Sequence, residues 1–126
     1  MISEYLIILI KAGIFITIIN VWLFRFNKPT PFRGGSAKSM KEEFEVYGIS
    51  GKAMYAIGMV KVLLATAILA SIWFPDLSVW ASAGLGVFML GAIVMHFKAN
   101  DPSIRSLPAL SLLVGCILII SLETFI

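Results

Sequence analysis

The chain has 126 residues, 60% of them hydrophobic and 13% charged, with a formal net charge of +3 and a mean hydropathy of +0.98. Soluble domains carry about 25% charged residues, so this composition excludes an ordinary water-soluble domain. A single cysteine, Cys116, excludes an intrachain disulfide or a dithiol exchange centre; a single histidine, His96, excludes a haem held by two histidines of one chain.

A membrane-spanning helix needs roughly 20 apolar residues to cross a core of about 30 Å. Four segments qualify: Tyr5–Phe24, Ala53–Phe74, Leu77–Phe97 and Leu107–Ile126. The expected fold is all-α, a polytopic membrane protein of one domain over residues 1–126. It is a four-transmembrane-helix bundle with a short amphipathic cytoplasmic helix between the first two spans.

The first span reads as a retained helix. It lacks a basic leading region, it contains Lys11 and Asn20, and no small-x-small cleavage site follows. Gly13, Thr17 and Asn20 share one face, a small polar stripe suited to close helix packing. Lys11 is expected near the outer edge, paired with Glu4 or Glu123 or reaching the headgroups.

The connector Arg25–Lys52 is too long for a simple turn. Pro29 and Pro31 break the helix, and Gly34-Gly35 permits a reversal. Ser39-Met40-Lys41-Glu42 fits a capping box. Ala37, Met40, Phe44 and Tyr47 then recur at helical spacing until Gly48 provides a stop. This predicts a short amphipathic helix at the cytoplasmic interface, either covering the open end of the bundle or docking a partner.

In the second span Gly58, Lys61 and Ala65 share a face, which predicts that face turned toward protein. Trp73 and Trp80 suit an outer interfacial belt. The third span carries Gly84 and Gly91 as close-packing positions and ends at His96 and Lys98. Asn100-Asp101-Pro102 is a turn, with Asp101 or Ser106 expected to cap the last helix. Tyr47, Tyr55 and Trp22 read as interface anchors or core, and Cys116 as a small packing residue.

Orientation follows from lysine and arginine. Arg25, Lys28, Arg33, Lys38, Lys41 and Lys52 lie in or beside the first connector, Lys98 and Arg105 flank the third, and none flanks the second. The positive-inside rule then puts connectors 1 and 3 in the cytoplasm and both termini outside. The expected location is a bacterial inner membrane. The positive charge is accounted for by this topology, so no nucleic-acid partner is expected.

Lys61 is the informative residue. An amine near the bilayer centre costs about 2.5–3.5 kcal/mol on insertion scales. Counting at 1.5 Å per residue puts Lys61 roughly 12 Å inside the cytoplasmic edge, level with Asn20, with His96 near the same edge. Asn20, Lys61 and His96 are expected to converge on a polar pocket, with Glu42, Glu45 or Asp101 as countercharge. The ligand-binding candidates are therefore Asn20, Lys61, His96 and Asp101, for an anionic or carbonyl-bearing ligand. The competing readings are a structural hydrogen-bond network and a lysine snorkelling to the headgroups. Arg33, Gly34, Gly35, Glu42 and Glu45 are the candidate partner surface. No catalytic residue and no metal-ligand spacing is identified.

The run of Arg25-Phe26, Phe32-Arg33-Gly34-Gly35, Glu43-Phe44, Tyr47-Gly48, Gly58, Lys61, Trp73-Phe74-Pro75, Met95-His96 and Asp101-Pro102 resembles the DoxX-like family of small four-helix membrane proteins. The resemblance covers nearly the whole chain and implies the four-helix fold. It implies varied roles: membrane subunits of quinone-linked sulfur oxidation, oxidative-stress complexes, and a receptor-assembly chaperone in an animal branch. Lys61 and the first-connector motif are the features carried over. The expectation is an accessory or assembly subunit without catalytic activity of its own, in contact with membrane lipid and with a membrane-protein partner or a second copy. The alternative is a quinone-binding subunit of a redox system. A small dimeric transporter ranks last, because such exporters use a carboxylate within the membrane, whereas Glu4, Asp76, Asp101 and Glu123 all lie at span ends.

Overall fold

In the computed structural model, which describes residues 2–125, the described residues form helices and turns with no strand. Helix α1 runs Ile2–Ile19 and continues through a π-type turn, Asn20–Phe24. Helix α2 is Met40–Val46, α3 is Gly51–Ala70, α4 is Ser78–Lys98 and α5 is Leu107–Phe125. Four helical stretches are long and apolar enough to span a membrane: Ile2–Phe24, Gly51–Ala70, Pro75–Lys98 and Ser103–Phe125. Together with this composition they make the chain an integral membrane protein. Ile126, the expected end of the fourth span, lies outside the described residues.

The long helices run up, down, up, down. Helix α1 packs on α3 and α5, and α4 packs on the same two, so α1 and α4 stand diagonally across the bundle. The core is a column of Ile14, Ile18, Met54, Ala65, Ile68, Leu85, Met89, Cys116 and Ile119, all buried. Outside it lies a belt of exposed leucine, valine and aromatic side chains, with Trp73 and Trp80 at the end away from the long connector. This is the surface expected when lipid is the solvent.

Glycine placement corrects one expectation. Gly13 is exposed, with nothing within 4 Å of where a Cβ would stand, and the same holds for Gly91. The Gly13–Thr17–Asn20 stripe is therefore not a packing face of this bundle. Helix α1 instead buries Lys11, Ile14 and Ile18, followed by Trp22. Gly58 is different, because a Cβ there would overlap the Trp22 ring. Gly58→Ala must displace a rigid indole, and overpacking of this kind costs about 1–3 kcal/mol. The expected result is a lower thermal midpoint together with altered fluorescence from Trp22.

Lys11 is buried and its Nζ lies 2.9 Å from Glu123 Oε1. Of the two partners expected from sequence, Glu123 is the one that meets it. The pair joins the first long helix to the last, and it shields an amine that an apolar interior would otherwise penalise.

Candidate functional site

The site lies at the connector end of the bundle and starts with the knot that closes it. When α1 ends at Phe24 its last carbonyls lose their helical partners. Arg33 ties down the chain just beyond that end. Its guanidinium donates to the carbonyls of Arg25 at 2.6 Å and Lys28 at 3.0 Å, and to Glu43 Oε2 at 3.0 Å. The planar five-donor fork of arginine suits this task, which lysine cannot reproduce. Arg33 is buried, and Gly34 beside it leaves no room for a Cβ against the Tyr47 ring.

Helix α2 then folds over the open end. Ser39 Oγ accepts the Glu42 N–H at 3.2 Å and donates to the Glu42 carboxylate at 3.3 Å, the cap expected from sequence. Gly48 takes a φ of +74° and lets Ile49 N–H reach Phe44 C=O at 2.9 Å, ending the helix. Met40 and Phe44 are buried, and Phe44 meets Trp22 edge-on at 5.8 Å. The helix is thus a cover for the bundle. Ser50 caps α3 through the Ala53 N–H, so that span starts earlier than the apolar run suggests.

A second clasp ties the connector to the start of α5. Gly35 N–H donates to Asp101 Oδ1 at 2.9 Å, and Arg105 Nη1 donates to Gly35 C=O at 2.6 Å and to Asp101 Oδ1 at 3.0 Å. Asp101 Oδ2 lies 2.8 Å from His96 Nδ1. Asp101 therefore does not cap the last helix, as the sequence suggested; no side-chain cap precedes the short turn Ser103–Ser106, and Ser106 makes none either. Burial alone would raise the Asp101 carboxyl. The His96 hydrogen bond, the Gly35 N–H, and the charges of His96 and Arg105 outweigh it and hold the group below the usual carboxylate range.

The sign of the pH effect follows. A carboxyl whose folded pKa is depressed adds stability that is complete above the unfolded value, about 3.9, and is lost as pH falls through the folded value. The thermal midpoint should hold from neutral pH down to about pH 5 and fall below about pH 4. Asp101→Asn should flatten that acid limb while costing about 2 kcal/mol at neutral pH.

Beneath this cover is a cavity of about 610 Å³, lined by all four long helices and the connector. It is mostly apolar, with Glu43, Tyr47, Lys61 and His96 as its polar wall and Trp22 alongside. Glu43 accepts from Arg33, from Gly34 N–H at 3.2 Å and from Tyr47 Oη at 2.9 Å. Tyr47 also lies 3.3 Å from His96 Nδ1. Burial pushes the Tyr47 phenol above its ordinary range, and the Glu43 charge and hydrogen bond add to it, so Tyr47 is a neutral donor. The cavity lining includes exposed residues on α4, Val87 and Gly91, and on the connector side, Arg25 and Pro31.

Lys61 stands apart. It is 9% exposed and lines the cavity, with its Nζ 5.5 Å from the Trp22 ring centroid. Among the described residues the other buried lysine and the buried arginine each have a carboxylate partner: Lys11 has Glu123 and Arg33 has Glu43. Lys61 has neither an ion pair nor a hydrogen bond.

The structure brings Asn20, Lys61 and His96 to one cavity, and Asp101 reaches it through His96. Glu42 and Glu45 are exposed; the carboxylate at the cavity is Glu43. Arg33 and Gly34 are buried and Gly35 is half-buried, so these three build the cover and do not form an open surface. Sequence reasoning missed Glu43, Tyr47 and Arg105 as site residues. Glu43 was detectable, because Met40, Glu43, Phe44 and Tyr47 fall at i, i+3, i+4 and i+7, which puts a carboxylate inside the apolar stripe.

Comparisons with curated proteins and with solved structures give no match. A family model described as the DoxX-like family matches residues 33–121, a stretch that takes in Arg33, Glu43, Tyr47, Lys61, His96, Asp101 and Arg105. That match spans well over half of the chain, and the protein belongs to the DoxX-like family.

Proposed function

We propose that the protein is an accessory membrane subunit that binds a quinone-type ligand, with the ligand's carbonyl toward Lys61 and its tail along the apolar wall. The observation that supports this is the Lys61 side chain, 9% exposed, whose amine has no hydrogen-bond or ion-pair partner among the described residues and which lines a mostly apolar cavity. An amine without a partner in a mostly apolar cavity is a costly arrangement, and a ligand oxygen would satisfy it. A quinone carbonyl accepts an N–H without carrying a charge into the membrane. The cavity falls in the range of about 300–1,000 Å³ typical of small-molecule sites. Val87 and Gly91 line the cavity from α4 and are exposed on its apolar outer face, a side from which a lipid-dissolved molecule would enter without crossing water.

The chain offers no dithiol, and electrons come from a partner subunit. Glu42 and Glu45, exposed on α2, are the connector positions left for that partner or for a second copy. The lysines and arginines of the first and third connectors support a cytoplasmic position for this end, and the membrane we propose is a bacterial inner membrane.

Trp22 tests the reading, since it lines the cavity while Trp73 and Trp80 are exposed at the other end. In a Trp73→Phe, Trp80→Phe background, decylubiquinone should quench Trp22 saturably. Quenching that only rises in proportion to quinone partitioned in the detergent would count against the proposal.

A further inference from the structure

We propose that the groove between the end of α1 and α3 binds an anionic phospholipid, with an acyl chain in the groove and the phosphate at the connector end. The groove has a volume of about 520 Å³. Trp22 alone lines both this groove and the central cavity, so its indole is the wall between them. The floor is Trp22 resting on Gly58, where a Cβ would overlap the ring. Leu23 forms one side, and Met59 and Leu63 form the other; all three are exposed on the face turned to lipid. From Tyr55 to Leu63 the groove follows α3 for about 12 Å, at 1.5 Å per residue. A recess of this shape takes one hydrocarbon chain lengthwise.

The connector end of the groove is polar and firmly built. Phe26 and Tyr55 stack across it, with centroids 6.1 Å apart and ring planes at 16°. Phe26 is fixed there because its C=O accepts the Met40 N–H at 2.8 Å. Asn27 lines the same end and is exposed. Lys28 follows it, with its backbone held by Arg33 through the Lys28 C=O at 3.0 Å. On α3, Lys52, Tyr55 and Met59 fall at i, i+3 and i+7, so Lys52 extends the groove's own face by one turn. Both lysines are exposed, and neither is in an ion pair among the described residues.

The start of α3 adds to this end. Ser50 takes the Ala53 N–H at 3.2 Å, whereas the N–H groups of Gly51 and Lys52 have no helical partner. A helix start with free N–H groups attracts an anion. Two unpaired lysines, an amide and a helix start at the mouth of an apolar groove match a phosphate joined to a hydrocarbon chain. A neutral lipid would use the groove and leave both lysines idle.

The test is native mass spectrometry of the delipidated full chain, titrated with dioleoyl phosphatidylglycerol or with dioleoyl phosphatidylcholine. The wild type should retain the phosphatidylglycerol several-fold more strongly. Lys52→Gln should lower that retention about fivefold and leave phosphatidylcholine unchanged. Lys98→Gln makes the same charge change at the connector end of α4, away from the groove, and should alter neither. Val62→Phe, which fills the groove from α3, should weaken both lipids. Equal retention of the two lipids by the wild type overturns the proposal. So does an equal loss in Lys52→Gln and Lys98→Gln, which would mean attraction by overall charge. Undiminished binding in Val62→Phe, or displacement of the lipid by glycerol 3-phosphate at equal concentration, would remove the groove from the site and overturn it as well.

Discussion

Lys61→Met should weaken ligand binding about tenfold to a hundredfold and make the empty protein more stable. The two effects have opposite signs because the residue serves the ligand at the expense of the fold. Among the described residues the Lys61 amine has no hydrogen bond or ion pair, only the Trp22 face at 5.5 Å and the more distant charge of Glu43. Methionine matches its length and removes a penalty of up to about 2.5–3.5 kcal/mol on insertion scales. The lost contact to a ligand oxygen, in contrast, is worth about 1.5–3 kcal/mol, or roughly tenfold to a hundredfold in affinity. Thermal unfolding and quinone titration on the same preparation measure both. If Lys61 were a purely structural donor, Lys61→Met would destabilise the protein instead.

Arg33→Met should be the most damaging single change in the connector. The guanidinium holds three backbone carbonyls near the end of α1 and the Glu43 carboxylate at once. Removing it takes the charge partner from the buried Glu43 carboxylate, which keeps only the Gly34 N–H and the Tyr47 hydroxyl, and takes the donor from the Lys28 carbonyl; breaking a buried pair from one side costs about 3–5 kcal/mol. Arg33→Lys should recover little of this, since one ammonium cannot span the same acceptors. Protease sensitivity between Arg25 and Lys52, set against the global unfolding midpoint, separates loss of the cover from loss of the bundle. An Arg33→Met protein with a protected connector would show that the cover is held by α2 packing alone.

The four spans were legible because length and apolarity are local properties of the chain. Helix α2 and its Ser39 cap were legible for the same reason. The site was legible only by level: counting rises from the span ends put Asn20, Lys61 and His96 at one depth, and they line one cavity. What counting cannot supply is the partner across space. Glu42, Glu43 and Glu45 are near-equivalent in composition, yet only Glu43 points inward, because the Met40–Phe44 face seats α2 on Trp22. The Gly35–Asp101–Arg105 clasp joins segments far apart in the chain, and no local pattern announces it. Gly13 and Gly91 misled in the other direction. A small residue permits close approach but does not require it, and here nothing stands within 4 Å of where a Cβ would be at either one.

The most direct measurement is native mass spectrometry of the protein released from its own membranes in mild detergent, beside Lys61→Met and the exposed-site control Glu45→Gln. The account predicts one adduct of quinone mass on the wild-type chain and on Glu45→Gln, and a strongly reduced one on Lys61→Met. A bare chain in all three, or an adduct undiminished in Lys61→Met, would contradict it.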